Sequence, residues 1–393
     1  MLTPDQALGK ILFHARPLAA ERVHVGDACG LVLASDIRAA DDLPRFDNSA
    51  MDGFAVHSAD IRGAAGENPA TLRVIGEVQA GSSFGKKMGP GCAVRISTGA
   101  PVPRGADAVV MQEECEVRGS HVIIRGSEPK RGNIRFRGEE IQKGRIALHC
   151  GMRLNPGSVA WLATMGIHKA PVFRRPRVGL LRSGGEVVDI GMTPRTNQVR
   201  DAHGLSLSLA LREMGMDLNV APIVRDDPSS IRRAFSKLMA SCDVVLTTGG
   251  VSVGRHDLFL GVAGKLGVKT IFHKIAQKPG KPMAFGKKDG RLWFGLPGNP
   301  VSSLFCFYYY VRPALLKMSG RRDFMPQWFE AISSISVKRH PRRTEFMRGR
   351  LERGQVVFAP KQGSHCLGGF SDANVLVRID STGRGRRLSC LRL

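Results

Sequence analysis

The sequence predicts a multidomain α/β protein: a central doubly wound, mostly parallel sheet domain, a β-rich second domain, a mixed linker domain and a small C-terminal β domain. Three observations carry this. A chain of 393 residues is longer than one hydrophobic core sustains, so several domains are expected. From Arg177 onward, apolar strand-like runs alternate with helix-length runs, the pattern of a parallel sheet with crossover helices. On either side of that region, short β-like pieces are separated by Gly- and Pro-rich turns.

Taken in order, "MLTPDQALGKIL" is expected to be a capped helix and no secretory leader. Thr3 caps it, Pro4 suits its first turn, and Ala7, Leu8, Ile11 and Leu12 repeat at helical spacing. "FDNSAMDGFAV" follows as a tight polar loop framed by Phe46 and Phe54. "LRVIGEV", "CAVRIST", "DAVVMQEECEV" and "HVIIRG" make a β module. "NPGSVAWLATMGI" returns to helix, with Asn155 as cap and Pro156 in the first turn. Next come the strand "RVGLLRSGG", the helix "HGLSLSLALREMGM" and the strand "LNVAPIVRDD". A helix capped by Asp227 and the strand "DVVLTTGGVSVG" complete the alternation. In "LPGNPVSSLFCFYYYV", Asn299 caps a helix that Pro300 opens, with Val301, Leu304, Phe305 and Tyr308 toward the core. The expected division is a linker domain of residues 1–45 with 141–174, a β-rich domain 46–140, an α/β domain 175–325 and a terminal β domain 326–393.

Composition narrows the function classes. Lys+Arg 58 against Asp+Glu 34 leaves +24, which favours anionic partners. The basic residues are dispersed, only 6% of the chain is aromatic, and no Cys/His finger spacing occurs, so nucleic acid is not the expected partner. No run approaches the ~20 apolar residues of a membrane span. The eight cysteines are scattered with no CxxC, as expected of free thiols in the cytoplasm.

In an open α/β sheet the loops at the carboxyl ends of the strands form the ligand crevice. Gly249, Gly250 and Ser252 in "LTTGGVSVG" offer successive amide hydrogens and a hydroxyl to an anion. An ordinary strand-to-helix turn is the alternative, and no Lys-Ser/Thr pair makes this a Walker loop. Lys278 and Lys281 stand on the Pro-stiffened loop "KPGKPMAFG", suited to an oxyanion or phosphate, or else to a solvated turn. Glu186, Asp226 and Asp257 each follow a strand, where acids either bridge a hard cation to phosphate or order turns. Magnesium fits the first option. Asp52 in the polar loop, and Thr98 on the turn of "RISTGAPVPRGADAVV", are further candidates.

These stretches, with "KPGKPMAFG" and "GLPGNPVSSLFCF" in the same order, resemble the molybdopterin molybdenumtransferase family, which includes the gephyrin E domain. The resemblance runs from about Phe46 to Gly320. It implies a four-domain homodimer whose third domain has a molybdopterin-binding fold. It also implies a magnesium-assisted reaction that inserts molybdate into adenylylated molybdopterin and releases AMP and molybdenum cofactor. The implied functional residues are Asp52, Thr98, Glu140, Glu186, Asp226 and Asp257, with Pro297 and Pro300. Glu186, Asp226 and Asp257 fall to the metal and pterin phosphate, whereas Asp52, Thr98 and Glu140 reach the cleft from the partner subunit. Gly249, Gly250, Ser252, Lys278 and Lys281 become contacts for phosphate and molybdate. Molybdopterin adenylyltransferase and molybdoenzyme maturation proteins are the implied macromolecular partners.

Three positions depart from the family pattern. Gly185 stands where an acid is usual, Glu140 replaces an aspartate, and His203 replaces an asparagine. They motivate a second reading, a diverged paralogue that binds molybdopterin or its molybdenum form as a carrier or scaffold without catalysis.

Overall fold

The computed structural model describes residues 1–249, 258–381 and 386–393. Two compact units emerge, one of Met1–Ser35, Cys150–Ala160 and His168–Leu393, the other of Asp36–His149 and Trp161–Ile167. No helix among the described residues is long and apolar enough to cross a membrane.

The larger unit is organised by a six-stranded sheet in the order Asp217–Val220, Arg177–Arg182, Val244–Thr248, Arg291–Leu296, Ala284–Lys288, Lys269–His273. The first four strands are parallel, and Ala284–Lys288 runs against both its neighbours. Its strands bury both faces. Val178, Leu180, Val244, Leu246, Leu292 and Phe294 pack on one side, and Leu181, Val245 and Trp293 on the other. Such continuous apolar runs are what a sheet covered twice by helices requires. The second strand in sequence lies on one side of the first and the third on the other. Arg177–Arg182 and Val244–Thr248 therefore flank the point where strand order reverses, the usual ligand crevice of open α/β sheets.

Local signals place the helices as the sequence predicts. Pro4–His14 carries a capping box between Thr3 and Gln6, and Ala7, Leu8, Ile11 and Leu12 are buried. Asp227 accepts from the amides of Ser229 and Ser230 at the start of Pro228–Ser241. Asn155 accepts from the amide of Ser158. The strand expected through "LNVAPIVRDD" is shorter than its apolar run. It ends at Val220, ahead of Pro222, which has no amide to donate to the ladder.

One helical expectation is corrected. The helix starting at Pro300, capped by Asn299, runs into a π-turn at Phe307–Val311 before continuing as Arg312–Met318. The wider turn admits an extra residue: Tyr308 packs against the core while partly buried, and Tyr309 and Tyr310 are buried at 1% and 0% exposure. Val301, Leu304 and Phe305 are buried as expected.

The same unit contains the sheet of Ala20–His24, Lys169–Phe173 and Val32–Leu33. It also contains a terminal β structure of Trp328–Ser333, Thr344–Glu352, Gln355–Phe358, Val375–Ile379 and Arg387–Arg392, closed by pairing of Thr344–Glu352 with Val375–Ile379. An edge strand, Gln277–Lys278, joins this closed sheet from the α/β domain.

The smaller unit is built on a six-stranded sheet ordered Ala108–Met111, Gly53–Val56, Cys92–Ile96, Ala70–Val78, His121–Ile124, Cys115–Arg118. Its two faces bury separate clusters, one around Phe54, Val56, Val110 and Val122, the other around Ala55, Val94, Ile96 and Val109.

Candidate functional site

In the larger unit, the carboxyl ends of the parallel strands gather most of the residues singled out from sequence. Arg182 pairs with Thr248 and Thr248 with Leu296, so Ser183, Gly249 and Pro297 follow in one row. The row is closely stacked. A Cβ on Gly249 would lie 2.7 Å from the Ser183 carbonyl oxygen, and one on Gly298 would lie 3.3 Å from the Gly249 Cα. With φ at +86°, Gly249 also needs a conformation that side chains disfavour. Pro297 is buried, and its carbonyl accepts from the Ser303 hydroxyl inside the following helix. Pro300 opens that helix, directly after the loop that Pro297 and Gly298 form.

The turn after Arg177–Arg182 carries Glu186, and Asp226 comes to it from the loop that follows Asp217–Val220. The Gly185 amide donates to Asp226 Oδ2 at 3.2 Å, which brings Asp226 to the turn that ends in Glu186. Both carboxylates are exposed. Lys278 and Lys281 occupy the connection between Lys269–His273 and Ala284–Lys288, at the carboxyl end of a strand running with the parallel set. Both side chains are exposed, and neither has a carboxylate partner among the described residues. Gly250, Ser252 and Asp257 lie outside the described residues. Among those described, no group of three His, Cys, Asp or Glu side chains could hold a metal. Glu186 and Asp226 supply two carboxylates, a set that suits magnesium when substrate oxygens complete the shell.

The structure adds polar groups that sequence reasoning passed over. Ser183 Oγ and Thr248 Oγ1 are buried, at 3% and 0% exposure, without a hydrogen-bond partner among the described residues. Neighbouring Thr247 is instead satisfied by the Trp293 indole N–H at 3.1 Å. Unpaired buried hydroxyls are costly, about 1–3 kcal/mol each, and two of them at the strand-order reversal mark where a polar ligand belongs. The sequence signal was available: a hydroxyl residue closing an apolar strand immediately before glycine, in both "LLRSGG" and "VVLTTGG".

Beneath them, Arg182 donates to Asp201 Oδ2 at 2.7 Å and to the Ala221 carbonyl at 2.8 Å. Asp201 caps Ala202–Glu213 by accepting from the Gly204 amide at 2.7 Å. Only glycine fits at position 204, since a Cβ would meet Arg182 Cδ at 2.3 Å. His203, one of the three departures, is 6% exposed, and its Nε2 has no hydrogen-bond partner among the described residues, with Asp201 Oδ1 3.8 Å away. Burial holds its imidazole below the usual value of 6.5, with Asp201 opposing the shift. The unfolded chain therefore takes up this proton at higher pH than the folded one. Stability is undiminished above about pH 6.5 and falls as the pH drops toward the folded value. H203N is expected to flatten this dependence between about pH 7 and pH 5 in urea melts, and an unchanged slope would contradict it.

In the smaller unit, the polar loop and the Thr98 turn are clamped together. The Ser49 amide donates to the Ala100 carbonyl at 3.0 Å, and the Gly99 amide to the Ser49 carbonyl at 2.8 Å. Asp52 Oδ1 accepts from the Thr98 amide at 2.6 Å. The Thr98 backbone and side-chain hydrogen bonds hold the Asp52 carboxyl below its ordinary range. Phe54 is buried and Phe46 is exposed, so only the former frames the loop from the core. Glu140 lines a shallow cleft of about 790 Å³ with Pro44, Asn48, Gly99, Arg135 and Glu139. Asp52 and Thr98 are thus in direct contact, and Glu140 shares a cleft with Gly99, the residue after Thr98.

Comparison with known proteins decides the family. The pattern of the MoeA N-terminal region (domain I and II) matches residues 2–166, the probable molybdopterin binding domain residues 180–317, and the MoeA C-terminal region (domain IV) residues 330–387. The molybdopterin molybdenumtransferase of Haemophilus influenzae is 36% identical over 388 residues, 97% of this chain and 95% of that protein. The chain belongs to the molybdopterin molybdenumtransferase family. The Staphylococcus epidermidis member is 33% identical over 92% of this chain and 88% of its own length. Among solved structures, the molybdopterin biosynthesis MoeA protein of Pyrococcus horikoshii superposes with a TM-score of 0.85 at 32% identity, covering 100% of this chain and 99% of that one. The mixed α/β architecture is therefore that of the transferase family.

Proposed function

We propose that the protein inserts molybdate into adenylylated molybdopterin, releasing AMP and molybdenum cofactor. The observation that supports this reading is a pair of buried hydroxyls without partners among the described residues, beside two carboxylates that share one turn, with two exposed lysines on a loop at the same carboxyl-end side of the sheet. Ser183, Thr248 and the Gly249 turn bind the pterin phosphate. Lys278 and Lys281 neutralise phosphate or molybdate oxygens, and Pro297 walls the pocket. Gly250 and Ser252 extend the phosphate contacts. Glu186 and Asp226, joined by Asp257, would hold magnesium, which supplies charge neutralisation at the anhydride when bound. Asp52, Thr98 and Glu140 form a second polar surface that completes the cleft from a partner subunit. The test is reconstitution: protein, adenylylated molybdopterin, molybdate and Mg²⁺ should together activate an apo-molybdoenzyme. Activation that is equally good without the protein would refute the reading.

The homodimer is part of this proposal. Leu205 and Leu209, four residues apart on Ala202–Glu213, are 42% and 54% exposed, and Ile190, Met192 and Val199 are exposed ahead of that helix. Covering such a face with a second copy removes it from water at about 25 cal/mol per Å². L209D is expected to shift the mass in light scattering from twice the 42.6 kDa chain to one. A monomeric wild type would contradict this. The eight thiols are free, which suits the cytoplasmic location proposed for the enzyme.

A further inference from the structure

We propose that Tyr310 is a positioning residue for this reaction, holding the Lys278–Lys281 loop in its working geometry through Gln277. The proposal rests on the reading of those lysines as substrate contacts.

Adjacent residues of a regular helix point about 100° apart, so two neighbouring tyrosines seldom both meet polar partners in a core. The π-turn at Phe307–Val311 makes this possible here. Tyr309 donates to Asp5 Oδ1 at 2.9 Å, and Tyr310 donates to Gln277 Oε1. Burial raises the Tyr310 phenol well above its ordinary value, so the hydroxyl stays a donor across the working pH range.

Gln277 is 1% exposed and forms the first position of the lysine loop. Its amide is used at both ends: Oε1 takes the Tyr310 proton and Nε2 donates to the Gly280 carbonyl at 3.2 Å. The loop is fixed at three further points. The Lys278 backbone lies opposite that of Glu345 in a parallel ladder with the terminal β structure, the Ile275 amide donates to the Lys281 carbonyl at 2.9 Å, and Gly280 lies against the π-turn helix. A Cβ at Gly280 would come within 2.6 Å of Cys306 Sγ. All of this immobilises backbone, while the side chains of Lys278 and Lys281 remain exposed, with no carboxylate partner among the described residues. A solvated turn has no use for such anchoring. A pair of cations that must meet an anion without further ordering cost does.

Removing the phenol oxygen leaves Gln277 Oε1 buried without a donor and frees the amide to rotate, which loosens the loop at its root. In steady-state assays with adenylylated molybdopterin and molybdate, Y310F is expected to raise KM about tenfold while kcat stays within about threefold. K278A/K281A should raise KM at least as much. Adding Y310F to K278A/K281A should produce no further increase, because the tyrosine acts only through the lysines. If Y310F proves too unstable to assay, Q277L removes the same link from the loop side and should give the same pattern.

Three results would overturn the proposal. One is an unchanged KM in Y310F or Q277L beside a raised KM in K278A/K281A. Another is multiplicative effects in the combined variant, as expected of a general loss of structure. The third, an unchanged KM in K278A/K281A, refutes the lysine reading itself and is thereby distinguishable from the first two.

Discussion

Replacing Asp226 by asparagine, or Glu186 by glutamine, is expected to lower kcat about 100-fold with the melting temperature within a degree or two of wild type. The two carboxylates flank one turn, where the Gly185 amide donates to Asp226 Oδ2. Both side chains are exposed, so neither supports a core, and exposed substitutions usually change stability by about 0.5 kcal/mol or less. Asparagine retains an acceptor for the Gly185 amide, and so the turn survives. What disappears is negative charge where a cation and the phosphates it bridges would meet, worth about 3 kcal/mol in a site that depends on it. Steady-state turnover at saturating Mg²⁺ is the measurement. A D226N protein with full turnover would remove Asp226 from the chemistry. A loss accompanied by a large drop in Tm would move it to the scaffold.

Gly53→Ala is expected to disrupt the smaller unit, costing about 4 kcal/mol or more. Gly53 sits between two strands, paired with Ile96 on one side and Met111 on the other. A Cβ there would stand 1.9 Å from the Val110 carbonyl oxygen and 3.1 Å from the Met111 Cα. These are backbone atoms of the adjoining edge strand, and no side-chain rotation relieves the overlap. Relief requires separating Gly53–Val56 from Ala108–Met111, which would open the clusters around Phe54 and Val109. The same movement would displace Asp52, the preceding residue, from the Thr98 amide. Thermal melts and limited proteolysis would read the effect as early cleavage within 36–149. Wild-type melting of G53A would contradict the packing described here.

The architecture was legible because its signals are local or periodic. Thr3, Asn155, Asp227 and Asn299 each cap a helix as their residue types and following prolines or amides predict. Strand-helix alternation from Arg177 onward forces a parallel sheet, and such a sheet places its connecting loops on defined edges. The grouping of Glu186, Asp226, Gly249, Lys278, Lys281 and Pro297 at one edge followed from topology without side-chain detail. What escaped sequence reading depends on contacts distant along the chain. Nothing near Gln277 announces that it pairs with Thr344, nor that Tyr310 donates to its amide. The π-turn was invisible because "FCFYYYV" is apolar at every position, so an extra residue leaves no break in its periodicity. Tyr308 packs against the core but is only partly buried. Ser183 and Thr248 were overlooked for another reason. A hydroxyl at the end of an apolar strand reads as an ordinary boundary until the structure leaves it buried and unpaired.

The central claim is that the edge formed by Ser183, Glu186, Asp226, Gly249 and the lysine loop cleaves an adenylylated pterin in response to molybdate. Its most direct test is AMP release from adenylylated molybdopterin by the purified protein with Mg²⁺, with and without molybdate. The account predicts release that accelerates with molybdate and collapses in D226N. AMP release indifferent to molybdate, or none while the pterin remains bound, would contradict it.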